Sequence, residues 1–239
     1  ELDDILLKEF VIDPCAVNGY YLSGADHLVA FSAYYPSGSE ALRFIDITDT
    51  NNPIPYEQSF TYLGNCEISG TYIAFSLTDP ITWSQSIWVL DASDPANTNL
   101  HLIESLGTNE SLYYLTMDGF TLAYSIYNWD SGSCVRVADI SDVNKPVFKT
   151  AILPLEIQVW DIDTSGDWLV FDGQAGYRRI IGAVQNYKDC NDWNILTLWR
   201  SGDEEQEIVS PPRIDGNIAV WITSTHMPSA AGPSAQSEP

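Results

Sequence analysis

Basic residues are scarce in this 239-residue chain: Lys and Arg number 10 against 33 Asp plus Glu, a formal charge of −23. A nucleic-acid partner needs a basic footprint for its phosphates, so that class is excluded, and an anionic membrane surface is disfavoured. No apolar run approaches the ~18 residues that span a bilayer. The four cysteines, Cys15, Cys66, Cys134 and Cys190, show no C-x-x-C spacing, which excludes zinc knuckles, thioredoxin-type redox motifs and haem attachment. His27, His101 and His226 include no pair at helical i,i+4 spacing, so a zinc-protease motif is missing. No G-x-S-x-G elbow, P-loop or dinucleotide fingerprint occurs. Carboxylates are too numerous to single out a catalytic pair, which needs a defined separation across a cleft.

What is present is repetition. Leu42-Arg-Phe-Ile-Asp-Ile-Thr-Asp49 returns as Ile87-Trp-Val-Leu-Asp-Ala-Ser-Asp94 and as Val135-Arg-Val-Ala-Asp-Ile-Ser-Asp142. The aspartates Asp46, Asp91 and Asp139 lie 45 and 48 residues apart, a period that signals β-propeller blades. Each copy carries about four apolar residues in a row, as expected of a strand covered on both faces. A second segment recurs as Gly70-Thr-Tyr-Ile-Ala-Phe-Ser76, Gly119-Phe-Thr-Leu-Ala-Tyr-Ser125, Gly166-Asp-Trp-Leu-Val-Phe-Asp172 and Gly216-Asn-Ile-Ala-Val-Trp221. Its glycines follow Ser or Asp and are spaced 49, 47 and 50 residues apart, the pattern of a hairpin turn feeding a strand. His27-Leu-Val-Ala-Phe-Ser32 is a diverged earlier copy.

The expected architecture is all-β: a propeller over residues 1–223 with about five four-stranded repeats of roughly 45–50 residues, the last incomplete. The repeats fall near 15–63, 64–106, 107–153, 154–200 and 201–223, followed by a Ser/Pro/Ala-rich tail over 224–239. Residues 6–12 read as a strand ahead of the first repeat, Ser59 to Leu63 as an outer strand, and Ala183 stands where the fourth repeat is expected to carry its aspartate. No helix longer than two turns is expected. The fifth repeat has its first two strands, and its Asp-bearing third strand is missing. Ile218, Val220 and Trp221 therefore mark an expected interface for a protein partner or for self-assembly, with the tail lying along it.

Three residues back from each glycine stand Glu67, Thr116, Asp163 and Arg213, on the strands nearest the axis. A polar ring of mixed sign at an axial mouth is the candidate ligand site; the competing reading is solvated positions alternating with apolar neighbours. The Asp-x-Ser/Thr-Asp motif reads as side chains capping turn N–H groups, and calcium at Asp46, Asp91 and Asp139 is the lesser alternative. No other cofactor is expected. Cys15 and Cys66 stand at matching places in adjacent repeats, which suggests a bridge and leaves Cys134 with Cys190; four buried thiols are the alternative. Asn109-Glu-Ser111 is a glycosylation sequon in an inter-repeat loop.

The repeats resemble the LVIVD-repeat family of extracellular β-propellers. The likeness rests on Phe44-Ile-Asp-Ile-Thr-Asp49 with Pro53, Val89-Leu-Asp-Ala-Ser-Asp94 with Pro95, Val137-Ala-Asp-Ile-Ser-Asp142 with Pro146, and the glycine-led segments, over roughly residues 15–185. It implies a surface or secreted setting and carries no catalytic residues. Composition rich in Ser, Thr, Asn, Tyr and Trp and a start at Glu1 agree with a trimmed, exported product. The expected function is a non-enzymatic exported or cell-surface binding and assembly module, periplasm included. The alternative is a secreted hydrolase or lyase working at the axial mouth through Glu67, Asp163 and Arg213.

Overall fold

The computed structural model describes residues 18–25, 27–35, 37, 39–49, 53–191, 193–201 and 206–225. The residue 6–12 strand, Cys15, His226 and the tail beyond Thr225 lie outside them. No helix is present among the described residues, which form eighteen strands.

The strands fold into successive antiparallel sheets, each a simple meander. The first holds β1 (Asn18–Ala25), β2 (Leu28–Tyr34), β3 (Glu40–Asp46) and β4 (Ile54–Phe60). The second holds β5 (Leu63–Ser69), β6 (Tyr72–Thr78), β7 (Gln85–Asp91) and β8 (Asn99–Ser105). The third holds β9 (Glu110–Asp118), β10 (Thr121–Asn128), β11 (Gly132–Asp139) and β12 (Val147–Ile152). The fourth holds β13 (Ile157–Ser165), β14 (Trp168–Ala175), β15 (Arg178–Gln185) and β16 (Ile195–Arg200), and the fifth only β17 (Gln206–Asp215) and β18 (Ile218–Thr225). The first strands pack in sequence, β1 beside β5, β5 beside β9, β9 beside β13 and β13 beside β17, so they line an axis and the sheets radiate from it. The protein is a β-propeller.

Burial explains the apolar runs. Ile87, Val89 and Leu90 in β7 are all within 1% of full burial, because a sheet lies on either side of them. Leu28, Ala30 and Phe44 of the first sheet pack on Ile68, Ile73 and Phe75 of the second. Ala74 and Val89 pack on Leu115, Met117 and Leu122 of the third, and Ala123 and Val137 on Val159, Ile162 and Phe171 of the fourth. Each fully buried large apolar side chain contributes about 1.5–3 kcal/mol, so these seams hold the sheets face to face.

The turn glycines sit at positive φ, +57° at Gly70, Gly119 and Gly216 and +60° at Gly166, at the first position of two-residue hairpins, where a Cβ would be strained. The Ser or Asp before each has a separate task. Gly119 N–H donates to Ser69 Oγ (2.9 Å), Gly166 N–H to Asp118 Oδ2 (2.7 Å) and Gly216 N–H to Ser165 Oγ (2.9 Å). The second, third and fourth blades thus each accept a hydrogen bond from the turn of the next.

Three expectations need correction. The outer strand of the first blade is β4, Ile54–Phe60, and Leu63 opens the next blade as β5. β4 is mostly exposed on both faces, so it lacks the apolar signature that marks the strands inside it. In the fourth blade the register equivalent of Asp46, Asp91 and Asp139 is Gln185, opposite Trp168, and not Ala183. Ser224 and Thr225 belong to β18 and not to the tail.

Candidate functional site

Hairpin register brings one residue of every inner strand to the same level of the axis. Ser23 lies opposite Ala30, Glu67 opposite Ala74, Thr116 opposite Ala123, Asp163 opposite Val170 and Arg213 opposite Val220. The four polar residues read from the sequence therefore share one ring with a fifth, Ser23. Sequence counting misses Ser23 because the first hairpin carries Asp26 where the others carry glycine. Each inner strand also has a register shift just before its ring residue, at Tyr20/Ser23 in β1, Leu63/Cys66 in β5 and Val159/Ile162 in β13. Such bulges re-aim side chains, and here they add Tyr114 and Asp161 to the site.

The ring is wired from blade to blade. Ser23 Oγ donates to Glu67 Oε2 (2.7 Å) and accepts from Ile68 N–H (3.1 Å). Thr116 Oγ1 donates to Asp163 Oδ1 (3.2 Å), and Asp163 Oδ2 accepts from Ile214 N–H (2.8 Å). Arg213 has no acceptor atom, so it cannot take a backbone N–H as Ser23 and Asp163 do. Its Nη2 donates instead to the Tyr114 hydroxyl at 2.9 Å, with Cζ 5.5 Å from the centre of the Tyr114 ring.

Three carboxyls surround that one guanidinium. Burial raises Glu67, partly offset by the Ser23 hydrogen bond and by Arg213. Burial likewise raises Asp163, against the Ile214 N–H and Arg213, and raises Asp161, against Arg213 and Arg179. The Tyr114 hydroxyl is pushed up to about 12, chiefly by burial. Burial alone would lower Arg213, but Tyr114, Asp163 and Glu67 outweigh it and raise it, so it stays charged. The ring offers carboxylate acceptors beyond what Arg213 neutralises, an arrangement that receives cationic or hydroxyl groups.

The remaining sequence candidates lie elsewhere. Oδ1 of Asp46, Asp91 and Asp139 accepts from the N–H of Thr48, Ser93 and Ser141 at 2.8, 2.9 and 2.9 Å, so these carboxylates cap turns. The side chain and then the N–H of Thr48 lower Asp46, and the N–H and then the side chain of Ser141 lower Asp139. Among the described residues no group of three or more His, Cys, Asp or Glu is arranged to hold a metal. Asn109 is exposed, and its Nδ2 donates to Asp130 Oδ2 at 2.8 Å. His27 falls in the first hairpin turn and His101 in β8.

Cys134 and Cys190 are not bridged, contrary to expectation. Cys134 packs in the seam between the second and third blades, and Cys190 against the seam between the third and fourth, so a blade separates them. Cys66 is buried in the first seam, and its pairing with Cys15 falls outside the described residues. At the open end Ile218 and Val220 are exposed at 71% and 59%, and Ile222, at 60%, completes that face. Trp221 is half-buried on the opposite face, as strand alternation requires.

No family model matches the chain, and no curated protein does. Among solved structures it is similar to a prolyl endopeptidase, with TM-score 0.57 and 19% identity over 85% of this chain and 30% of that one. It is also similar to TolB from Acinetobacter baumannii (TM-score 0.53, 13% identity, 87% of this chain and 52% of TolB). Prolyl oligopeptidase B from Galerina marginata follows at TM-score 0.52 and 11% identity over 78% of this chain and 28% of that one. The chain thus spans about half or less of the length of these proteins, and at such identities the likeness shows the propeller fold alone. Among the described residues no helix is long and apolar enough to cross a membrane.

Proposed function

We propose that this chain is an exported β-propeller of the LVIVD-repeat type that serves as a protein-binding module, taking a cationic side chain or terminal amine of its partner at the axial ring. One observation carries the reading: the half-buried carboxyls of Glu67, Asp161 and Asp163, each raised by burial, share the Arg213 guanidinium, and only Asp161 has a second one, Arg179, acting on it. An incoming cation restores the charge balance that burial disfavours. The scarcity of Lys and the acidic surface support an exported setting and a basic partner. Titration of short Lys- or Arg-bearing peptides by calorimetry tests the reading. Binding that weakens at least about tenfold in Glu67→Gln and Asp163→Asn is the expected result, about 1.4 kcal/mol. Peptides that bind neither the wild type nor the variants overturn it.

A second reading, a secreted hydrolase or lyase at the same mouth, is favoured by the coupling of Glu67 with Asp163, both raised by burial as general acids are. Alanine at Glu67, Asp163 and Arg213 separates the two. Loss of a measured turnover with folding intact favours the enzyme.

A further inference from the structure

The two ends of the propeller differ. The glycine hairpins and the axial ring near them belong to one end. Because each sheet is an antiparallel meander, the loops from second to third strand and the steps between sheets belong to the other. In the second blade Thr78 N–H donates to Tyr62 O (3.0 Å), and in the third Trp129 N–H donates to Asn109 O (2.9 Å). Each of these loops is thus tied to the step that enters its blade.

This far end displays aromatic side chains. Trp83 and Trp129 are each 68% exposed, and Tyr62 is 44% exposed. Tyr62 stands edge-on to Trp83, with ring centres 5.9 Å apart. Trp129 stands edge-on to Tyr127 at 5.0 Å, and Tyr127 stacks on Tyr113 at 6.2 Å. Asn65 of the second blade donates through Nδ2 to Tyr113 O (3.4 Å), and Gln158 of the fourth donates to the Tyr113 hydroxyl (3.1 Å). The two aromatic groups therefore stand on adjacent blades.

Both tryptophans ride on capped turns. Asp79 Oδ1 accepts from the N–H of Ile81 and Thr82 at 2.9 and 2.7 Å, and Asn128 Oδ1 from those of Asp130 and Ser131 at 2.9 and 3.1 Å. Tyr62 and Trp83 sit at φ +54° and +59°, the left-handed region that bulky side chains rarely adopt. Gly or Asn would hold such turns with less strain, so folding alone does not account for two exposed aromatics there.

The surroundings define the ligand class. Across residues 61–62, 79–84, 106–109 and 129–131 the charged side chains are Asp79 and Asp130, and Lys, Arg and His are absent. Phosphate, sulfate and uronate groups are repelled by such a face. The centre of a protein interface is depleted of charge, whereas here Asp130 adjoins Trp129, and Thr82 Oγ1 and Ser84 Oγ, 2.8 Å apart, flank Trp83. A pyranose carries C–H groups on its face and hydroxyls at its edge, and so matches flat aromatic surfaces bordered by donors and acceptors.

We propose that this end binds a neutral oligosaccharide, with sugar rings stacked on Trp83 and Trp129 and hydroxyls bonded to the polar side chains beside them. The site is separate from the axial ring and does not depend on the cationic ligand there.

Calorimetric titration of the full chain with cellohexaose, laminarihexaose, mannohexaose, maltohexaose and chitohexaose tests this, with hexagalacturonate as the anionic probe. At least one neutral sugar should bind, hexagalacturonate should not, and Trp83→Ala and Trp129→Ala should each weaken binding by about tenfold or more. Trp83→Asn, which suits left-handed backbone, should lose the same affinity while its urea midpoint stays at or above that of the wild type. Failure of every neutral sugar, equal binding of hexagalacturonate, or unchanged affinity in the tryptophan variants overturns the proposal. So does a lowered midpoint in Trp83→Asn, which assigns the side chain to the fold. Loss of Lys-bearing peptide binding in these variants, with no sugar bound by the wild type, assigns the face to a protein partner and overturns it as well.

Discussion

The Arg213 guanidinium donates through Nη2 to the Tyr114 hydroxyl, 2.9 Å away, joining the fifth blade to the third across the axis. Around this bond stand the half-buried carboxyls, and their titration gives the first prediction. Burial holds Glu67 above its ordinary value, so the folded protein keeps that proton longer than the unfolded chain does. Its contribution is fully present below the unfolded pKa of about 4.3 and is lost as pH rises through the raised folded value. Glu67→Gln stays neutral and still accepts from Ser23. Its urea midpoint should match wild type at about pH 4 and exceed it at about pH 8, where the buried charge is present in wild type alone. A difference that does not grow with pH contradicts the assignment.

The turn latches give the second. Asp118 Oδ2 accepts from Gly166 N–H across a seam, and Ser69 and Ser165 do the same. Asp118→Ala should cost about 1–2 kcal/mol in urea unfolding, Ser69→Ala about 1 kcal/mol, and Asp118→Asn, which keeps an acceptor, less than half of the alanine value. Equal losses for alanine and asparagine at residue 118 argue that charge, and not the latch, is at work.

The third concerns a close approach. A Cβ on Gly182 would lie 2.2 Å from Cζ of Phe171, whose ring covers the glycine. Arg43 and Arg136 take that register position in the first and third blades, opposite Phe31 and Tyr124. Gly182→Ala should cost about 1–3 kcal/mol by overpacking, and Phe171→Leu should be less damaging in the Gly182→Ala background than alone. Additive effects contradict the clash.

The fourth concerns the ion network in the second seam. Arg136 pairs with Glu104 and, at 2.9 Å, with Glu110, and Tyr124 donates its hydroxyl to Glu104. The three charged side chains are 15%, 21% and 15% exposed, so removing the cation alone strands two carboxylates. Arg136→Met should cost about 3 kcal/mol, and adding Glu104→Gln with Glu110→Gln should recover most of it. A triple variant no better than the single one rules out stranded charge as the cause.

The sequence by itself determined the blades. Apolar runs ending in Asp46, Asp91 and Asp139 demand a strand buried on both faces, and Gly70, Gly119, Gly166 and Gly216 demand hairpins, since both are local requirements of backbone and burial. The Asx role of the repeated aspartates was legible for the same reason: the acceptor and the N–H it caps lie two residues apart. Glu67, Thr116, Asp163 and Arg213 were legible as a level of the axis through their fixed offset from glycine. Only the tertiary structure decided what joins that level. Ser23 enters through pairing with Ala30, and Tyr114 and Asp161 enter through bulges, which shift register without a residue signature. It also decided that Cys134 and Cys190 face different seams. Those outcomes depend on which sheet covers which side of a strand, a relation between residues some fifty positions apart.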